Sequence, residues 1–138
     1  MKALILAAGY ATRLYPLTKD RPKALLPLGG KAIIEFIIDE IVTLPDVNEI
    51  IVVSNHRFVE HFNAWEKKTA SQYELPITIV DDFTTSDADK LGAVGDINFV
   101  IERLEIDEDL LVIAGDNLFT YALIDPWRVF REFYQDMI

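Results

Sequence analysis

Short apolar runs alternate with segments of helical period along the whole chain, and no other feature limits the fold as much. "KALILAA" (2–8) is an apolar run that stops at Gly9 and reads as a strand. "KAIIEFIIDEIVTL" (31–44) has apolar residues on more than one helical face, with Glu35, Asp39 and Glu40 along the other side. This predicts a helix with a buried face, ended by Pro45. "EIIVVSN" (49–55) is β-branched and apolar, as suits a strand covered on both faces. "RFVEHFNAWEKKTA" (57–70) sets Phe58, Phe62 and Trp65 at helical spacing, with lysines near the end where a helix dipole favours them. "LPITIVDD" (75–82) is a third strand, "TTSDADKLG" (84–92) a polar loop and "AVGDINFVIERL" (93–104) a helix. "EDLLVIAGDN" (108–117) is a fourth strand, ending at Gly115. "DPWRVFREFYQDM" (125–137) predicts a last helix, with Asp125 as its cap and Pro126 at the first helical position. A β-α-β-α-β-α-β-α order implies an α/β fold: a mostly parallel sheet with helices on both faces. At 138 residues, without internal repeat or linker, the chain is expected to be one domain, 1–138.

Charge is spread unevenly. Residues 1–31 hold six basic side chains against Asp20 alone, while the chain as a whole has 23 acids and 13 bases. A broad basic footprint is missing, so nucleic-acid binding is disfavoured. A small, locally positive anion site is compatible with the pattern. No stretch nears the ~20 apolar residues of a membrane span, and the N-terminal apolar run is short for a secretion signal. Cysteine is absent, which excludes a disulfide framework and fits a cytoplasmic protein.

In a sheet of this kind, ligands bind at the carboxyl ends of strands, where strand order reverses. With strand one central, the loop Gly9–Lys23 is expected beside Gly115, Asp116 and Asn117. One loop is glycine-led and positive, and the other offers a carboxylate. That pairing suits a phosphate chain with a divalent cation. Neither G-x-x-x-x-G-K-[ST] nor G-x-G-x-x-G follows strand one, so the P-loop and the dinucleotide fingerprint are both excluded.

The string "LAAGYATRLYPLTKDRPKALLPLGGK" resembles the signature of the sugar-1-phosphate nucleotidylyltransferases, L-A-A-G-x-G-T-R-L-x-P-L-T-x-x-x-P-K-x-L-x-P-x-x-x-K. "LGAVGDI" (91–97) and "AGDN" (114–117) fall where that family has its L-G-T-A-x-A-type and G-D-N segments. The signature is similar to that of the glucose-1-phosphate thymidylyltransferase type. It implies a three-layer, Rossmann-like nucleotide-binding fold and a Mg²⁺-dependent transferase of nucleotide sugar biosynthesis. A nucleoside triphosphate and a sugar 1-phosphate would give a nucleotide sugar and pyrophosphate. Carried over by position, Leu6, Ala7, Ala8 and Gly9 would lie against the nucleoside. Arg13 would hold the phosphates that leave, Lys23 would neutralise the α-phosphate and the incoming phosphate, Gly92 would lie near the base, and Asp116 would bind Mg²⁺. Family chains continue well past residue 138, with the sugar-contacting region and a second metal-binding aspartate. The chain is therefore expected to be the N-terminal, nucleotide-binding portion of that fold. A CTP-dependent phosphocholine or other alcohol-phosphate cytidylyltransferase shares the signature, and a non-catalytic nucleotide-binding module would keep the triphosphate site.

The family's second glycine is Ala11 here, so a left-handed backbone at that position would be strained. Asp96 reads as a first-turn acid favoured by the helix dipole. His56 and His61 are five apart, off the i, i+4 spacing of paired ligands, and read as structural or exposed. Trp65, Trp127, Phe130, Phe133 and Tyr134 read as core or packing surface. An uncovered terminal helix would expose apolar side chains and favour self-association.

Overall fold

A computed structural model describes residues 1–135, with side-chain environments to residue 133. The strands are β1 (Lys2–Leu6), β2 (Pro27–Leu28), β3 (Lys31–Ala32), β4 (Glu49–Ser54), β5 (Ile77–Asp81) and β6 (Leu110–Ala114). The α-helices are α1 (Ile33–Ile41), α2 (Val59–Thr69), α3 (Gly92–Leu104) and α4 (Ile124–Gln135). Four strands make one parallel sheet in the order β5-β4-β1-β6. The expected β-α alternation and parallel sheet are both present.

The chain steps from β1 to β4 to β5 in one direction, then crosses back over β1 to place β6 on its far side. Right-handed crossovers force helices onto opposite faces when the direction reverses. The packing agrees. Ala3 and Ile5 of β1 face Ile34, Ile37, Ile38 and Ile41 of α1, Phe62 of α2 and Trp127 of α4. Leu4 faces the other way, with Ile51, Val53, Val80 and Val100 of α3. β4 is apolar and buried over nearly its whole length because both faces are covered.

Several details differ from the sequence reading. Residues 10–32 are not plain loop. Pro27–Leu28 and Lys31–Ala32 pair antiparallel around Gly29 and Gly30, both at positive φ (59° and 95°). Two left-handed positions in a two-residue turn are what glycine permits. The first helix therefore starts at Ile33. Glu35 is not on its solvent side: it is buried, and its Oε2 accepts from the Ala32 N–H at 2.5 Å. The carboxylate stands where a free first-turn N–H needs an acceptor. Glu40 Oε2 accepts from the Leu123 N–H at 3.1 Å, tying the entry of α4 to α1. Asp125 lies inside the first turn of α4, not at its cap. Val129, Phe130 and Phe133 of α4 are exposed, so the expected apolar face lies open. Tyr134 and the final residues of the expected helix lie outside the described side chains.

Candidate active site

The loop after β1 and the loop after β6 meet, as the strand order requires. Leu6 pairs with Ala114, and the Gly115 N–H donates to the Leu6 carbonyl at 2.8 Å. A Cβ on Gly115 would sit 2.8 Å from that carbonyl oxygen and 3.2 Å from Ala7 Cβ, so only glycine fits the close approach.

The long loop after β1 is held at several points. Asn55 Nδ2 donates to the Ala8 carbonyl at 2.9 Å, Thr18 Oγ1 to the Ala11 carbonyl at 2.7 Å, and Arg57 Nη2 to the Lys19 carbonyl at 2.5 Å. Ala11 has φ 46° and ψ 42°, in the left-handed region. That conformation costs an L-residue about 1–2 kcal/mol. The signature's glycine thus has a physical reason here, and alanine carries the strain.

Lys23 Nζ reaches across the cleft to Asp116 Oδ2 at 2.6 Å, with both side chains partly exposed. Leu6, Ala7, Gly9, Ala11, Lys23, Ala24, Gly115 and Asp116 line a cavity of about 210 Å³. Of the expected site residues, Leu6, Ala7, Gly9, Lys23 and Asp116 are brought together. Arg13 is not in this wall. It sits in a short 3₁₀ turn, Thr12–Leu14, exposed and without an ion pair among the described residues. Ala8 and Gly92 line a neighbouring cavity of about 180 Å³ that shares Leu6 and Gly9 with the first. Gly92 has φ +75° and opens α3.

The second cavity contains residues the sequence reading passed over or misread. Asp82 and Asp96 both line it and are almost fully buried, at 5% and 6% exposed. Asp82 Oδ1 accepts from the Thr84 N–H (2.7 Å) and the Thr84 hydroxyl (2.8 Å). Asp82 Oδ2 and Asp96 Oδ1 are buried without a hydrogen-bond partner. Asp96 lies past the first turn of α3 and is not a dipole-facing surface acid. Burial first, and the Asp82 carboxylate second, push its carboxyl up to about 7. One signal was available: "DD" at the carboxyl end of the third strand of an α/β sheet lies where such folds bind ligands.

The loop ahead of Gly92 is ordered by Asp89, which accepts from the backbone N–H groups and hydroxyls of Thr85 and Ser86. Those bonds, the backbone ones foremost, hold its carboxyl down to about 2. His56 is exposed with Nδ1 2.6 Å from Asp81 Oδ2, and His61 packs edge-on against Phe58. Both stand apart from the two cavities.

Among the described residues no three His, Cys, Asp or Glu side chains gather as a metal cage. A single carboxylate at an open cavity does fit Mg²⁺, which keeps waters and shares its coordination with substrate phosphates. Asp116 is partly exposed, and its ion pair with Lys23 is of the surface kind that exchanges partners at little cost.

A family model described as Nucleotidyl transferase matches residues 2–137. This chain belongs to the nucleotidyl transferase family. Among curated relatives, the UTP–glucose-1-phosphate uridylyltransferase of Haloferax volcanii is 32% identical over 135 residues, which is 96% of this chain and 50% of that protein. The solved CTP:phosphocholine cytidylyltransferase of Streptococcus pneumoniae is 31% identical, with a TM-score of 0.64 over 88% of this chain and 47% of that one. A UDP-glucose pyrophosphorylase complexed with UDP-glucose shares the fold, with a TM-score of 0.70 over 97% of this chain and 54% of that one, at 21% identity. The nucleotidyl transferase chain thus spans about half the length of these three proteins. No helix among its described residues is long and apolar enough to cross a membrane.

Proposed function

We propose that this chain forms the nucleotide-binding part of a transferase that moves a nucleoside monophosphate from a nucleoside triphosphate to a sugar 1-phosphate. The observation that carries this reading is the Lys23–Asp116 pair, 2.6 Å apart across a cavity walled by the two loops at the strand-order reversal. The sugar phosphate oxygen forms a bond to the α-phosphorus, and the α-phosphorus–oxygen bond to pyrophosphate breaks. Catalysis is then positioning plus charge neutralisation. Lys23 turns from Asp116 to the α-phosphate. Arg13, on its exposed turn, meets the departing phosphates. Ala7, Ala8 and Gly9 let the nucleoside approach the backbone, and Gly92 lies beside the base. Asp116 would hold Mg²⁺, which when bound supplies neutralising charge at the phosphate oxygens. This reading makes 1–138 one nucleotide-binding domain and places it in the cytoplasm, in keeping with its lack of cysteine.

The 31% identity to a CTP:phosphocholine cytidylyltransferase supports a second acceptor class, an alcohol phosphate. Pyrophosphate release with a panel of triphosphates, sugar 1-phosphates and phosphocholine, with Mg²⁺, separates the two. Release with a sugar 1-phosphate is expected. Triphosphate binding without pyrophosphate release from any pair would leave a binding module and sink the enzyme reading for this chain.

A further inference from the structure

The role proposed for Arg13 needs a loop that stays in place, and little of the fold holds this one. Of residues 11–21 only Thr18 is buried. The backbone bonds of this span stay inside it, from Leu14 to Ala11, Tyr15 to Thr12, Leu17 to Leu14 and Lys19 to Pro16. Thr18 Oγ1 closes the neck of the loop on the Ala11 carbonyl. Ala11 is left-handed, at φ 46°, and such a conformation persists only where its surroundings enforce it. Among the described residues, a single hydrogen bond reaches residues 11–21 from outside that span: Arg57 Nη2 donates to the Lys19 carbonyl at 2.5 Å.

Arg57 lies in the corner between β4 and α2, and the same corner grips the start of the loop. Asn55 Nδ2 donates to the Ala8 carbonyl at 2.9 Å, and its Oδ1 accepts from the Phe58 N–H at 3.0 Å. The Tyr10 ring packs against Phe58, with centroids 6.4 Å apart. The Arg57 guanidinium lies 5.3 Å from the centroid of the same Phe58 ring. A planar guanidinium can rest on an aromatic face and still donate at its edge. One corner thus holds both ends of a loop whose 3₁₀ turn, Thr12–Leu14, carries Arg13.

We propose that Arg57 is a positioning residue for Arg13: by fixing the Lys19 carbonyl it sets where the loop stands, and so where Arg13 meets the departing phosphates. The inference rests on the nucleotide reading above and adds to that site a residue from outside the signature motif. Arg57 acts through the loop and touches no phosphate itself. A released loop samples other arrangements, and affinity falls with the fraction of time spent in the competent one. Arg57 is also an exposed cation, so direct contact with a phosphate is the rival role.

A double-mutant cycle on equilibrium binding separates the two, with Mg²⁺ and the tightest-binding of GTP, CTP, ATP, UTP and dTTP as the probe. Arg57→Ala should weaken binding about three- to tenfold by lowering the competent fraction. Its denaturation midpoint should not move, because the side chain is exposed. In an Arg13→Ala background the same change should cost less than about twofold, since residues that act through one another are not additive. Amide exchange supplies a readout without ligand. The Leu14 and Leu17 amides close the turns of the loop, and in Arg57→Ala they should exchange at least about threefold faster. Equal losses in both backgrounds would mean that Arg57 acts on its own, and the proposal fails. It fails too if exchange is unchanged, or if Arg57→Ala binds as the wild type does. Wild-type binding by Arg13→Ala would remove the Arg13 role and this inference together, leaving the site at Lys23 and Asp116. A chain that binds none of the five would overturn the nucleotide reading itself.

Discussion

The two cavities share Leu6 and Gly9 yet handle charge in opposite ways. In the first, a cation and an anion face each other at the surface, Lys23 against Asp116, both more than a third exposed. Such a pair adds at most about 1 kcal/mol of stability, so little is lost when the partners turn to phosphate and metal. In the second, two acids of the same sign are buried together, and the fold bears the cost. Exposed, opposite and exchangeable charge suits binding that must be made and broken each turnover. Buried, like charge is instead a fixed feature of the fold, held at atoms that neither water nor a ligand reaches.

The contrast can be broken at the strand-loop contact that shapes the first cavity. Gly115→Ala puts a Cβ 2.8 Å from the Leu6 carbonyl. It should cost about 1–3 kcal/mol by overpacking, read as a lower denaturation midpoint. Unchanged stability would mean that the two loops do not need this approach. Lys23→Ala should weaken Mg²⁺–triphosphate binding by about 10–100-fold, the worth of a charge-assisted hydrogen bond, with little effect on folding. Lys67→Ala, on α2, should leave binding within about twofold. Equal losses from the two variants would dissolve the phosphate site.

The second cavity is sharpened by pH. An acid whose folded pKa is raised binds its proton more tightly when folded. Its contribution to stability therefore falls as pH climbs from the ordinary carboxylate range to about 7, then levels off. Asp96→Asn removes that loss. The variant's melting temperature should gain on the wild type between pH 5 and pH 8. A difference that does not change with pH would deny that burial, with the Asp82 carboxylate, raises the Asp96 carboxyl. The smallest effect concerns Ala11. Relief of left-handed strain is worth about 1–2 kcal/mol, offset by glycine's larger entropy loss of about 0.5–1 kcal/mol. Ala11→Gly should therefore stabilise slightly, by up to about 1.5 kcal/mol, in chemical denaturation.

The fold was legible because its signals are local and periodic. Ile50 to Val53 show no polar face, so they belong to a strand covered on both sides. The Lys23–Asp116 meeting was legible too, 93 residues apart in the chain, because a parallel sheet sends all its strand ends to one edge. The Gly29–Gly30 hairpin was missed because strands of two residues have no period to read. Glu35 was misplaced because helical spacing cannot tell a solvent-facing acid from one turned back to cap its own helix.

By itself, then, the sequence determined the element order, the parallel sheet, the reversal of strand order and the loop that gathers positive charge. Hydrophobic period and chain-crossing rules leave few alternatives for those features. Only the tertiary structure decided which charges are paired and which are stranded. Arg13 and Lys23 lie in one motif, yet among the described residues only Lys23 of the two meets a carboxylate. Asp82 and Asp96 look like a strand-end acid and a surface acid, yet they share one buried wall. Burial and proximity set the energy of a charge, and both depend on what distant segments place around it.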